Sequence, residues 1–187
     1  MKIKDYKLFL ESNEEDIDSI CQKYHIKNYT INEDGTVDVD GSVNLYNEEL
    51  VKLPLKFNKV SGFFDCSENK LTTLEGCPNW VGGNFSCSYN KLTTLKGGPD
   101  IVCGNYHRCA CNMLINFKGF PEDFYGYTDF YGNPIYKLIE KIPRVNWTKF
   151  IYWCNEFDVI DDNGIVIPER MEEVYNNLGL IYNNNEN

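Results

Sequence analysis

The chain has 187 residues, 42% of them hydrophobic, and a formal net charge of −10. That length suits one domain, and the acidic balance argues against non-specific binding to nucleic acid, which needs a basic face. No run approaches the ~18 consecutive apolar residues of a membrane span, and Met1-Lys2-Ile3-Lys4-Asp5-Tyr6-Lys7 puts charges where a signal peptide carries its apolar stretch. A cytoplasmic setting is therefore expected. The charge fits plain solubility, a basic protein partner, or mimicry of nucleic-acid charge, and solubility is the simplest of the three.

In chain order, Asp5 to Leu10 reads as a short first helix. Ser12 or Asn13 is suited to cap a second, with Glu14, Glu15 and Asp16 in its first turn. Ile17, Ile20, Cys21 and Tyr24 then recur at helical spacing, and the helix is expected to end near His25. Tyr29-Thr30-Ile31 and Thr36-Val37-Asp38-Val39 flank an Asn-Glu-Asp-Gly turn, which signals a hairpin.

From Val43 to Pro134 the sequence repeats. Phe64-Asp65-Cys66-Ser67-Glu68-Asn69-Lys70-Leu71-Thr72-Thr73-Leu74 matches Phe85-Ser86-Cys87-Ser88-Tyr89-Asn90-Lys91-Leu92-Thr93-Thr94-Leu95 at most positions, 21 residues on. The skeleton extends back to Val43, Leu45, Leu50 and Leu53, with Glu48 in place of the Asn. It extends forward, after one inserted residue, to Cys109, Asn112, Leu114 and Phe117, and to a half-unit of Thr128, Phe130, Asn133 and Ile135. A period of this length specifies a solenoid whose units bury their apolar faces against one another. Asn69, Asn90, Asn112 and Asn133 should turn inward and satisfy backbone groups at the bend. Gly76-Cys77-Pro78, Gly97-Gly98-Pro99 and Gly119-Phe120-Pro121 break the return side without a helix. Cys66, Cys87 and Cys109 fall in one inward column. With a reducing setting, the eight cysteines are expected as free thiols.

The skeleton apolar-x-apolar-x-x-Asn-x-Leu-x-x-Leu resembles the leucine-rich repeat, in its short bacterial and bacteriophage form. The resemblance covers about half the chain. It implies an α/β repeat solenoid: a ladder of short parallel strands, one per repeat, with an N-terminal helix and hairpin cap over 1–42, repeats over 43–134, and a C-terminal helical cap over 135–187. It also implies recognition of proteins on the outward strand face.

After Pro134 the pattern turns helical. Ile135, Leu138, Ile139 and Ile142 form one stripe. Trp147, Phe150, Ile151 and Cys154 form a second, expected to be capped at Asn146. Val159-Ile160 and Ile165-Val166-Ile167 flank a turn, and Met171, Val174, Tyr175 and Leu178 form a third helical stripe opened by Pro168. Asn183 to Asn187 reads as a polar tail.

No Walker loop, G-x-S-x-G, H-E-x-x-H or kinase motif is present. Cys103, His107, Cys109 and Cys111 cluster at the insertion and are zinc-ligand types. The spacing contains no CxxC pair, so a β-bulge with buried thiols is preferred over zinc, and no cofactor is expected. The outward strand positions offer Tyr46, Asp65, Glu68, Tyr89, Arg108, Asp129 and Tyr131 as a protein-binding set, with Asn44, Asn47, Ser67, Ser86, Ser88 and Ala110 among them. The expected activity is non-catalytic: a module that binds a host protein, basic in character, and inhibits or redirects it, for example in antiviral defence. Alternatives are a small-ligand or nucleotide sponge or enzyme using Tyr125, Tyr127, Tyr131, Trp147 and Trp153 near the C-terminal helices, and an acidic nucleic-acid mimic. The plain reading of those rings is core closure.

Overall fold

The computed structural model describes residues 16–121, 124 and 126–182. The expected Asp5–Leu10 helix, Ser12, Asn13, Glu14, Glu15, Tyr125 and the Asn183–Asn187 tail lie outside them. The repeats wind into a β-solenoid of about four turns. Helix α1 (Ile17–Lys23) is capped by Asp16, whose carboxylate accepts the Ser19 N–H at 2.7 Å, and it buries Cys21. Strands β1 (Tyr29–Ile31) and β2 (Val37–Val39) form the expected antiparallel hairpin, turned at Gly35 with φ 79°.

Each later coil contains two strands, where one ladder was expected. The second ladder escaped notice because it is so short: Trp80–Val81 lies between Pro78 and Gly82 with no room for alternation. Strands β3 (Val43–Asn44), β4 (Phe57–Val60), β5 (Phe64–Asp65), β6 (Trp80–Val81), β7 (Phe85–Ser86), β8 (Ile101–Val102), β9 (Tyr106–Arg108) and β10 (Tyr127–Asp129) divide between two sheets. Sheet 1 runs β1-β2-β4-β6-β8, parallel after the hairpin. Sheet 2 runs β3-β5-β7-β9-β10, parallel throughout. The hairpin's second strand is thus also the first parallel rung of sheet 1.

Two devices hold successive coils together. At the corner between the sheets, Gly62 N–H donates to Gly41 O (2.7 Å), Gly83 to Gly62 (2.8 Å) and Gly104 to Gly83 (3.0 Å). A Cβ on Gly83 would lie 2.8 Å from Gly62 C and from Phe63 N, so only glycine lets these backbones meet. At the opposite bend stands the asparagine ladder. Asn90 Nδ2 donates to Cys66 O, Cys87 O and Ser88 O, and its Oδ1 accepts the Leu71 N–H. Asn69, Asn112 and Asn133 repeat the pattern between their own coils. The residue before each is left-handed: Glu68, Tyr89 and Cys111 with φ of 53–55°, then Gly132. The inward columns fill the core with Leu71, Leu92 and Leu114, Cys66, Cys87 and Cys109, and Phe64 stacked on Phe85 at 6.0 Å.

The inserted residue does not bulge a strand. β9 pairs with β7 in unbroken register, Phe85 to His107 and Ser86 to Arg108, while β8 keeps the 21-residue offset from β6. The extra residue therefore sits between Val102 and His107, where a corner can absorb it without losing a ladder bond. The register shift that does occur lies between Val37 and Asp38.

Helices α2 (Tyr136–Ile139), α3 (Trp147–Glu156) and α4 (Pro168–Asn177) follow. Helix α3 packs on the last coil through Phe150 against Phe117 (6.1 Å) and Trp147 against Phe130 (6.4 Å). Asn146 stands before α3 but makes no side-chain cap bond, because a 3-10 turn over Arg144–Asn146 leads directly into the helix. No helix among the described residues is long and apolar enough to cross a membrane.

Candidate functional site

Sheet 2 turns one face to the core and one to solvent, and period-2 alternation decides which residues lie outside. Tyr106 and Arg108 are exposed on either side of buried His107, and Tyr127 and Asp129 flank buried Thr128 in the same way. The outward face therefore has three columns. Phe63, Tyr106 and Tyr127 line the corner edge. Asn44, Asp65, Ser86, Arg108 and Asp129 form the middle. Tyr46 and Tyr131 lie along the asparagine edge, with Tyr89 one residue further on. The six rings are 40–64% exposed, unusual for residues with so much apolar area.

The side chains named from sequence divide into free and engaged. Tyr89 and Tyr131 are among the most exposed, and Tyr131 packs edge-on to Tyr136 at 5.7 Å. Tyr46 donates its phenol to the Glu68 carboxylate one coil away, which raises its pKa above the ordinary tyrosine value. Cys111 raises that of Tyr89 in the same manner. Asp65 and Asp129 are half-buried, and each accepts the N–H two residues on, from Ser67 (2.9 Å) and Tyr131 (2.9 Å). These two acids hold the turn and are less available to a partner than their charge suggests. Arg108 lies over the Tyr106 ring at 4.8 Å. Ser67, Ser88 and Ala110 were expected outside and are buried. They are short side chains stacked from coil to coil, and Ser67 Oγ hydrogen-bonds Ser86 Oγ.

Phe63, Tyr106 and Tyr127, exposed on the same face, were not named for it from sequence. The signal was present: extending the alternation one step before Asp65, Arg108 and Asp129 finds an aromatic each time.

The four zinc-type residues do not converge. Cys103 is exposed, Cys111 sits half-buried in the left-handed turn, and His107 and Cys109 point into the core. No group of three metal-ligating side chains occurs among the described residues. His107 is packed among Phe85, Phe120 and Phe124, and burial pushes its pKa down to about 4. Of the described rings proposed for a ligand pocket, Tyr127 and Tyr131 are exposed on sheet 2 and the two tryptophans are engaged in the helical segment. Trp147 is buried and donates Nε1–H to Ile142 O, and Trp153 stacks on Phe157 at 5.2 Å. A groove of about 720 Å³ does lie beside the C-terminal helices, but between α3 and the return segments. Lys96, Lys118, Phe120, Ile151, Tyr152 and Glu156 are among its walls. Lys118 is held there by Asp162 at 2.9 Å and Asp158 at 3.7 Å. Comparison with protein-family models, curated proteins and solved structures finds no match to the chain.

Proposed function

We propose that this protein is a non-catalytic interaction module, of bacteriophage type, that binds a host protein in the bacterial cytoplasm through the outward face of sheet 2 and modulates or inhibits it. The observation that carries the reading is the double border of exposed rings around that face. Tyr46, Tyr89 and Tyr131 stand on one side and Phe63, Tyr106 and Tyr127 on the other. A flat, ladder-stiffened surface with aromatic edges binds at small entropic cost, because the rings have few rotatable bonds and the backbone is already fixed. The finer fold reading belongs with this one: a leucine-rich-repeat-type coil, capped by the helix and hairpin before it and the helices after it. The inward asparagine ladder and the Phe117–Phe150 and Phe130–Trp147 contacts support it.

The test is capture from bacterial lysate on the tagged protein, in parallel with a Tyr46→Ala/Tyr89→Ala/Tyr131→Ala variant. A specific protein retained by the parent and lost by the variant supports the proposal. Equal retention by both, or a small molecule retained in place of a protein, refutes it.

The α3 groove favours a second reading, since its volume is that of small-ligand sites. Native mass spectrometry of the purified protein distinguishes the two. A retained mass that is lost on Tyr152→Ala would favour the groove.

A further inference from the structure

The chain has only three arginines, and two of them meet at one place. Arg108 lies over Tyr106 at 4.8 Å, and Tyr106 contacts Tyr127 edge-on at 6.0 Å. Arg144 lies over both Tyr127 and Trp147, at 4.6 Å from each ring. Five side chains from sheet 2, its corner and the 3-10 turn before α3 thus form one unbroken strip. Both guanidinium groups are exposed, and neither forms an ion pair among the described residues. Asp129 stands on the rung next to Arg108, where one of its carboxylate oxygens accepts the Tyr131 N–H. What sets these two cations apart is that both lie over rings of one connected aromatic set.

The chemistry of stacking defines what such a strip takes. A guanidinium held over a ring, as Arg108 and Arg144 are at 4.6–4.8 Å, keeps a fork of N–H donors that the ring does not consume. That is the donor geometry for a two-oxygen anion. Asp65 and Glu68 lie toward the opposite end of the same face and Asp129 on its last rung, so the two arginines are a cationic spot among acids. Charges placed in this way orient a partner as well as bind it.

We infer that the Arg108–Tyr106–Tyr127–Arg144 strip is a docking subsite for an acidic segment of the protein partner, whose carboxylates lie against the two stacked guanidinium groups. The inference rests on the interaction reading above and names the chemistry at one end of its surface. A protein segment is favoured over nucleic acid because of charge. A few side-chain carboxylates meet two arginines locally, whereas a polyphosphate places many charges against the acidic remainder.

The test uses the full chain and two labelled probes, an octaglutamate peptide and an eight-nucleotide poly-dT, titrated at ~20 mM salt. Octaglutamate should bind the parent more tightly than the oligonucleotide. R108Q and R144Q should each weaken it, and the double variant by about tenfold or more. Lys91→Ala should leave it unchanged. Arg144→Lys, which keeps the charge and loses the stacking, should fall between parent and R144Q while melting like the parent. No octaglutamate binding, binding unaffected by the double variant, or tighter oligonucleotide binding lost in the same variant would each overturn the subsite. Failure here is separable from failure of the interaction reading. A captured partner that needs the tyrosines and ignores R108Q/R144Q removes only the strip, and a lysate that yields no partner leaves the peptide titration standing.

Discussion

His107 occupies the rung after Phe85, with ring centroids 5.2 Å apart, so an imidazole follows Val43, Phe64 and Phe85 in an otherwise apolar column. Its Nδ1 has no hydrogen-bond partner. Burial lowers its pKa to about 4, against an ordinary value of 6.5. Between those values the unfolded chain binds a proton that the folded chain refuses, so folding loses stability as pH falls from about 6.5 toward 4. The loss is at most roughly 3 kcal/mol. His107→Phe should remove this dependence. The difference in melting temperature between variant and parent should be small at pH 7.5 and should widen in the variant's favour by pH 4.5. A difference that stays flat across that range would show that His107 is not buried as described.

The glycine corner should tolerate no side chain. Gly83→Ala places its Cβ 2.8 Å from Gly62 C and from Phe63 N and 2.9 Å from Gly62 O, all of them backbone atoms. The coil spacing must open, at about 1–3 kcal/mol or more. Denaturant unfolding that places Gly83→Ala within ~0.5 kcal/mol of the parent would contradict the close approach of the coils.

Removing one rung of the asparagine ladder should cost more than an ordinary surface change. Asn90→Ala leaves the Leu71 N–H and three carbonyls without that partner. The carbonyls keep donors in Asn69, Asn112 and the Glu68 N–H, so the Leu71 N–H is the group left unsatisfied and a loss of about 1–3 kcal/mol is expected in urea unfolding. A variant as stable as the parent would mean that water replaces the amide.

These devices differ in how far the sequence discloses them. The asparagine, leucine and cysteine columns were legible because each repeats every 21 residues and its side chain has one place to go. The second sheet was not, since strands such as Trp80–Val81 are two residues long and show no alternation. The outcome at the insertion was misread as a bulge because spacing alone does not say whether a strand or a corner takes up a residue. On the outward face of sheet 2, the exposure of Tyr46, Tyr89 and Tyr131 was legible from the columns. The Arg144 contact was not, because it joins Tyr127 to a residue 17 positions away with no period to predict it.

Thiol reactivity should separate core from surface. Cys21, Cys66, Cys77, Cys87, Cys109 and Cys154 are buried, and burial pushes the Cys77, Cys87, Cys109 and Cys154 thiols up. A thiol reagent on native protein should modify Cys103 quickly and Cys111 more slowly, and should reach the other six only after denaturation. Chelator should leave the melting temperature unchanged. A melting shift on chelation, with stoichiometric metal released, would restore the zinc reading.

Whether a partner binds the outward face of sheet 2 is decided by the affinity of the captured protein for two sets of variants. Leu92→Ala calibrates the experiment. It empties a fully buried site and should melt early, by about 2–5 kcal/mol, losing binding with its fold. Tyr46→Ala, Tyr89→Ala and Tyr131→Ala should keep their melting curves within ~0.5 kcal/mol. At least one should weaken the partner by ~1 kcal/mol or more. Trp80→Ala on sheet 1, where the ring lies under Lys59 at 4.6 Å, and Asp100→Ala beside the α3 groove should bind like the parent. The opposite pattern, three tyrosine variants binding normally while Trp80→Ala or Asp100→Ala abolishes binding, would place the interface on another side of the solenoid and contradict the account.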